Sequence, residues 1–337
     1  SRKLKLKMIN LNQEWRKPKK HIPIVIFGAG SIVNDAHLPA YKKAGFKVQG
    51  IYDPDIEKAQ KLASKFNVSI FNTAEEASNQ QNVIFDLATP PQAHAKILEI
   101  LPEKSGVLIQ KPMGSNLDEA TKILEICSAR SLKAALNFQL RFAPMMIALK
   151  DAISSGLLGK IVDFDAWLAL DTPWSLWKFL ENLPRVEILL HSIHYFDFIR
   201  SILGNPNGVK AKTLGFPGKK TSNTRTTAIL DYGSDIRCAL TINHNHNFGR
   251  KFQACEFRIC GTKGAAYVQL GVNLNYPKGA PDILEINLGK EWVNIPLIGS
   301  WFIESFGNRM SQLQRYISGE ESELISSVKD SWNTMAL

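Results

Sequence analysis

From residue 22 to about 138, short apolar runs alternate with stretches of helical periodicity. The runs at 22–27, 47–52, 68–71, 83–88, 106–110 and 133–138 are nearly continuous in apolar residues. That is how strands covered on both faces read. Helix-like stretches at 54–66, 91–101 and 116–131 lie between them. The alternation predicts a doubly wound parallel sheet of six strands wrapped by helices. After a helix predicted over 143–155, the pattern changes. Longer strand-like runs at 160–170, 208–216, 223–231, 235–243, 250–260, 265–270 and 283–287 follow with few helices between them. Turn signals such as Asp231-Tyr232-Gly233-Ser234-Asp235 and Gly261-Thr262-Lys263-Gly264 join them, predicting an antiparallel sheet. Helices at about 187–203 and 301–318 would cover one of its faces.

The expected fold class is therefore α/β: a doubly wound domain over 21–140, then an α+β domain over 141–337 with a large, mostly antiparallel sheet. A basic arm over 1–20 precedes them, and the C-terminal helix could pack back on the first domain. A chain of 337 residues, 45% hydrophobic and 21% charged, suits two globular domains. The net charge of +10 first suggests a polyanionic partner. Yet the first twenty residues carry eight basic side chains against the single acid Glu14, so the rest of the chain is only mildly basic. Whether residues 1–7, ahead of Met8, are native is left open. The arm lacks the aromatic interleaving and helix-turn-helix or zinc-finger spacings of nucleic-acid binders. No apolar run approaches the ~20 residues that span a bilayer, and the four cysteines match no zinc or redox spacing. The expectation is a cytoplasmic protein without a nucleic-acid or membrane partner.

The first strand ends in Gly28-Ala29-Gly30-Ser31-Ile32-Val33 and runs into a helix. Gly28 permits a tight turn, and Gly30 lets backbone approach a pyrophosphate whose charge the helix N-terminus meets. Val33 stands where the usual fingerprint has a third glycine. The next strand ends at Asp53, where a carboxylate can accept hydrogen bonds from both ribose hydroxyls. Because a carboxylate repels a 2′-phosphate and no Arg or Lys stands at 54–57, NAD is preferred over NADP.

Four stretches resemble the glucose-fructose oxidoreductase / inositol dehydrogenase (Gfo/Idh/MocA) family over about residues 22–335. Gly28-Ala29-Gly30 through His37-Leu38-Pro39 is similar to its first turn and helix. Ala88-Thr89-Pro90-Pro91-Gln92-Ala93-His94 resembles its T-P-x-x-x-H segment. Gln110-Lys111-Pro112 resembles its E-K-P, and His194-Tyr195-Phe196-Asp197 its H-x-x-D. The resemblance implies a Rossmann domain holding NAD through Gly28, Gly30, Ser31, Ile32, Asp53, Thr89, Pro90, His94, Gln110 and Lys111. It also implies catalytic roles for Lys111 and His194. An ammonium can steady a developing alkoxide, and a neutral imidazole can accept the hydroxyl proton. Gln110 replaces the family's Glu, and Leu190 stands where an Asp usually precedes the His by one turn.

Glu187, His191 and His194 fall at i, i+4 and i+7, a polar stripe on an otherwise apolar helix. Such a stripe is costly unless it lines a wet cleft or is mutually bonded; the reading here is a stripe facing the active-site cavity, not a metal site. Pro184-Arg185-Val186 stands where the family has a glycine run, which makes Arg185 and Glu187 candidate substrate contacts together with His191. Trp174 and Trp177, in the connection after the first long strand, are candidate pocket walls. Arg141 is a candidate for a hydroxyl or carboxylate, with a structural ion pair as its alternative. His244 and His246 fall on one face of a strand, as a polar lining or an exposed edge.

The combined expectation is an NAD-dependent dehydrogenase that moves hydride between nicotinamide C4 and a carbinol carbon of a sugar, polyol or sugar acid. Substrate would lie between the first sheet's C-terminal edge and the second domain. A homodimer or homotetramer would form through the second sheet. The rivals are a dinucleotide- and sugar-sensing regulator without turnover and an NAD-assisted glycosidase.

Overall fold

The computed structural model describes residues 9–176, 184–221 and 223–337. The chain divides into two compact units, one formed by Trp15–Phe142 with Phe302–Leu337 and the other by Ala143–Trp301 with residues 9–14. Each is built around one sheet.

In the first unit, β1 (Ile24–Phe27), β2 (Val48–Tyr52), β3 (Ile84–Leu87), β4 (Gly106–Ile109) and β5 (Lys133–Leu136) form a five-stranded parallel sheet in the order β2-β1-β3-β4-β5. Strands β1, β3 and β4 are buried at every position. The intervening helices are α1 (Leu38–Ala44), α2 (Ile56–Phe66), α3 (Ala74–Ser78), α4 (His94–Ile100) and α5 (Leu117–Ala129). Asp55 caps α2 and Asn116 caps α5 by accepting hydrogen bonds from the backbone N–H groups of Lys58 and Glu119. The sixth expected strand, 68–71, contributes only an isolated bridge from Ile70 to Ile51. Ser69 and Phe71 exchange backbone hydrogen bonds with Ile51 and the pairing goes no further, while Phe71 packs against the open side of Gly50.

The second unit begins with α6 (Pro144–Ser154). It continues through β6 (Ile161–Ala169), α7 (Ile193–Leu203), β7 (Gly208–Leu214), β8 (Arg225–Asp231), β9 (Arg237–Asn243), β10 (Ala254–Gly261), β11 (Ala265–Gln269), β12 (Ile283–Asn287) and β13 (Trp292–Asn294). The eight strands lie in the order β13-β12-β11-β10-β6-β9-β8-β7. Every pairing is antiparallel except β6 with β9. On the covered face, Tyr195 and Phe198 of α7 pack edge-on or tilted against Phe257 of β10, which also meets Phe164 of β6. The opposite face leaves Trp167 and Ile229 about half exposed.

The chain then returns to the parallel sheet as α8 (Glu304–Ile317) and α9 (Val328–Ala336). This corrects the expectation that the helix at 301–318 would cover the antiparallel sheet. α8 packs on α1 and β4, with Met310 and Leu313 in the core that holds Ile24, Ile26 and Ile84. Amphipathic periodicity shows that a helix has an apolar face but not which sheet will bury it. Among the described residues, no helix is long and apolar enough to cross a membrane.

Candidate active site

Gly28 follows β1 with φ of +111°, and a Cβ there would lie 2.3 Å from the Ala88 carbonyl oxygen at the end of β3. Only glycine tolerates both the conformation and the approach. Gly30 has open space where its Cβ would be, so a ligand can meet backbone directly. Its carbonyl accepts from the N–H groups of Val33 and Asn34, which starts a π-helical turn over Val33–His37. Val33 is fully buried, so the third fingerprint position serves core packing. Ile32 packs on the same core, leaving its backbone N–H for any ligand contact, while the Ser31 side chain is exposed. Asp53 ties the turn to the end of β2: Oδ2 accepts from the Ala29 N–H at 2.8 Å and Oδ1 from that of Asp55 at 2.8 Å. Each carboxylate oxygen keeps acceptor capacity for a ribose hydroxyl.

Beyond β3, the Thr89 hydroxyl is buried without a hydrogen-bond partner. His94 is sealed from solvent, with Nε2 at 3.1 Å from the Thr89 carbonyl, and burial pulls its pKa down to about 4. It therefore acts on the site through the Thr89–Pro90 turn it braces. At the end of β4, the Gln110 Oε1 accepts from the Lys111 N–H at 3.2 Å. Lys111 is partly buried, and the loss of hydration lowers its ammonium to about 8. Just past β5, Asn137 is buried with both amide atoms unpartnered. Sequence reading passed over it, although its place at the C-terminal end of a parallel strand was the available signal. Glycine turn, carboxylate, orphan hydroxyl and low-pKa lysine at successive strand ends fit an NAD-type dinucleotide. Arg141 instead pairs with Asp330 of α9 at 3.0 Å, the ion-pair alternative noted above.

In the second unit, the stripe leading into α7 differs from an ideal α-helix. Ile188–Ser192 is π-helical, which brings Ser192, five residues on, against Glu187, where its hydroxyl donates to Oε1. Glu187 does not face a wet cleft. It is fully buried, accepts from Thr226 of β8, and lies 3.4 Å through Oε1 from Nε2 of His244. Burial raises its carboxyl to about 8, and His244, equally enclosed, falls to about 3. The expected exposed or lining role for His244 thus gives way to an interior one. It follows the last residue of β9, and its Nδ1 lies 2.7 Å from the Thr172 hydroxyl. His191 packs edge-on against His244 with ring centroids 4.5 Å apart, and Asn273 and Tyr195 lie at 3.3 Å from its two nitrogens. His194 is buried on α7 with its ring perpendicular to Trp301. Arg185 is exposed with φ of +55°. Trp174 stands in a short helical turn with its Nε1 buried and unpartnered. Trp177 lies outside the described residues. Among the described residues, no group of three His, Cys, Asp or Glu side chains could hold a metal ion.

Residues 22–138 match the oxidoreductase family, NAD-binding Rossmann fold, model of GFO/IDH/MocA, and residues 146–267 match the GFO/IDH/MocA C-terminal domain. The trans-1,2-dihydrobenzene-1,2-diol dehydrogenase of Mus musculus is 24% identical over 257 residues, covering 72% of this chain and 73% of its own. The inositol 2-dehydrogenase of Rubrobacter xylanophilus is 26% identical over 156 residues, 45% of each chain. An oxidoreductase from Agrobacterium radiobacter, solved with NAD+, L-tartaric acid and magnesium, shares the fold with a TM-score of 0.78 at 21% identity over 94% of both chains. With matched domains covering most of its length, in order and on the expected sheets, this chain belongs to the GFO/IDH/MocA family of NAD-binding oxidoreductases.

Proposed function

We propose that the chain is an NAD-dependent dehydrogenase that oxidises a secondary carbinol of a sugar, polyol or sugar acid, with Lys111 and His194 handling the hydroxyl proton. The observation that carries this reading is Lys111, held at the end of β4 with an ammonium lowered to about 8. A lysine so placed changes protonation state within the working range of an enzyme. As ammonium it donates to the substrate oxygen and steadies negative charge as the hydroxyl proton leaves; as amine it can take that proton. His194 supplies the second proton-transfer group. When bound, NAD+ supplies the hydride acceptor at nicotinamide C4. Gly30 and the following N–H groups would hold its pyrophosphate, Asp53 its adenosine ribose, and Thr89 and Gln110 the nicotinamide end. Two relatives are named as dehydrogenases of a cyclic diol and of inositol, which supports a hydroxylated ring as substrate.

The direct test is NADH formation with a panel of sugars, cyclic polyols and sugar acids. Turnover of at least one, abolished in Lys111→Ala, is expected. Dinucleotide binding without turnover across the panel would favour the sensing regulator, and glycoside cleavage without NADH accumulation the glycosidase. The open face of the antiparallel sheet, with Trp167 and Ile229 exposed, supports assembly as a homodimer or homotetramer. Light scattering of wild type against Ile229→Lys checks it, the variant being expected to run as a smaller species.

A further inference from the structure

The antiparallel-sheet unit contains a cavity of about 420 Å3 whose walls include Thr172, Trp174, Lys219, Lys220 and Asn245. Its polar groups include three donor-only side chains, Trp174, Lys219 and Lys220. The Trp174 Nε1 is buried and makes no hydrogen bond; indole N–H is donor-only, so the group that satisfies it must be an acceptor. The two lysines are exposed at the rim and outweigh the single carboxylate there, that of Asp171. The Oδ1 of Asn245, the acceptor of its amide, is already taken by the Thr224 hydroxyl.

Thr172 is the less obvious donor, and the residues behind it decide its polarity. Its Oγ1 lies 2.7 Å from Nδ1 of His244, whose Nε2 lies 3.4 Å from Oε1 of Glu187. The same imidazole packs edge-on against Trp174 with centroids 5.2 Å apart. Burial keeps Glu187 protonated up to about pH 8 and His244 neutral down to about pH 3. With its proton on Oε1, the oxygen that faces His244, the neutral carboxyl donates to Nε2, the imidazole carries its proton on Nδ1 and donates to the Thr172 oxygen, and the threonine's own O–H is left to donate elsewhere.

We propose that this cavity is a subsite for an oxyanion, a carboxylate or phosphate group of the substrate, gripped by Thr172, Trp174 and Lys219–Lys220, with Glu187 and His244 as positioning residues. The inference rests on reading the chain as a carbinol dehydrogenase and narrows its substrate from sugars in general to acidic ones. It also accounts for a glutamate and a histidine buried together where each alone would be costly.

Calorimetry on the NAD-loaded full chain with gluconate, glucose and inorganic phosphate tests it. Gluconate is expected to bind at least 10-fold tighter than glucose, with phosphate competing. Trp174→Phe and Thr172→Val should each weaken gluconate about 5- to 10-fold, and Thr172→Ser should restore it. Lys219→Ala/Lys220→Ala, at exposed positions that leave folding intact, should act in the same direction. Glu187→Gln, whose amide can still donate to Nε2, should keep the affinity that Glu187→Leu loses. Phosphate binding without gluconate binding would support the subsite and assign it to a phosphorylated substrate. Equal affinity for gluconate and glucose with no phosphate binding, or no response to both Trp174→Phe and the double lysine variant, would overturn the subsite. Neutral-polyol turnover without oxyanion binding would overturn it while leaving the dehydrogenase reading in place. Gluconate binding with no turnover of any sugar or polyol would do the reverse.

Discussion

The two units support their candidate site residues in opposite ways. In the parallel-sheet unit Asp53 and His94 lie close to strand ends and are held by backbone, Asp53 by the N–H groups of Ala29 and Asp55 and His94 by the Thr89 carbonyl. In the antiparallel-sheet unit Thr172, Glu187, Ser192, Thr226 and His244 come from four separate segments of the chain and hold one another side chain to side chain. A backbone-held site can be read from local spacing, whereas a side-chain network exists only after the sheet has brought its strands into register. The first should tolerate side-chain exchange and fail when backbone geometry is disturbed. The second should do the reverse.

The largest expected effect tests the backbone side. Gly28→Ala meets both a positive φ and the Ala88 carbonyl, so urea denaturation should show a loss of roughly 2–4 kcal/mol. Gly30→Ala, with open space around its Cβ, should stay within about 0.5 kcal/mol of wild type and lower dinucleotide affinity instead. Equal destabilisation by the two would erase the distinction drawn between the glycines. Next in size is Lys111→Ala, which should reduce kcat by about 10²-fold or more with a smaller change in NAD affinity. In the wild type, kcat/KM for oxidation should rise with pH through about 8 as Lys111 loses its proton; a profile flat across that range would remove lysine as the proton acceptor.

On the side-chain network, the sign of the pH dependence is fixed by the raised carboxyl of Glu187. Its folded value near 8 exceeds the ordinary glutamate value of 4.5, so the folded state binds the extra proton between the two. Its contribution to stability is fully present below pH 4.5 and is lost as pH rises through 8. Urea midpoints of wild type between pH 5 and 8.5 should fall more steeply than those of Glu187→Gln; parallel slopes would mean the carboxyl is already ionised. The smallest effect belongs to Asp330→Ala, which leaves the largely buried Arg141 without its carboxylate and should cost about 1 kcal/mol in thermal or urea melts.

The same contrast explains what could be read in advance. Continuous apolar runs marked the parallel strands, and period-two alternation marked most of the large sheet. The Gly28, Gly30 and Asp53 constellation was legible because each element of it is local. The run at 68–71 misled because an apolar tetrapeptide reads alike whether it extends a ladder or meets the β2 edge at one residue. The stripe of Glu187, His191 and His194 was visible, but the π-helical turn that swings Ser192 onto Glu187 was not, since i+4 spacing was assumed. His244 was noticed only as one of an alternating pair. Its partners Thr172 and Glu187 lie 72 and 57 residues away; the Asp171 to Asn245 bridge brings the first beside it, and the turn leading into α7 carries the second.

The return of the chain to its first sheet has a consequence for biosynthesis. Arg309 of α8 is fully buried; its guanidinium lies over the ring of Phe142 and donates to the Ile325 carbonyl. The nucleotide-binding unit begins with β1 but lacks α8 and α9 until the antiparallel sheet has been translated. A nascent chain halted after residue 142 would expose the apolar surface around Ile24, Ile84 and Leu108 that Met310 and Leu313 cover. Everything between, including the whole antiparallel sheet, is made while that surface waits, so emerging chains should be chaperone clients until α8 is made.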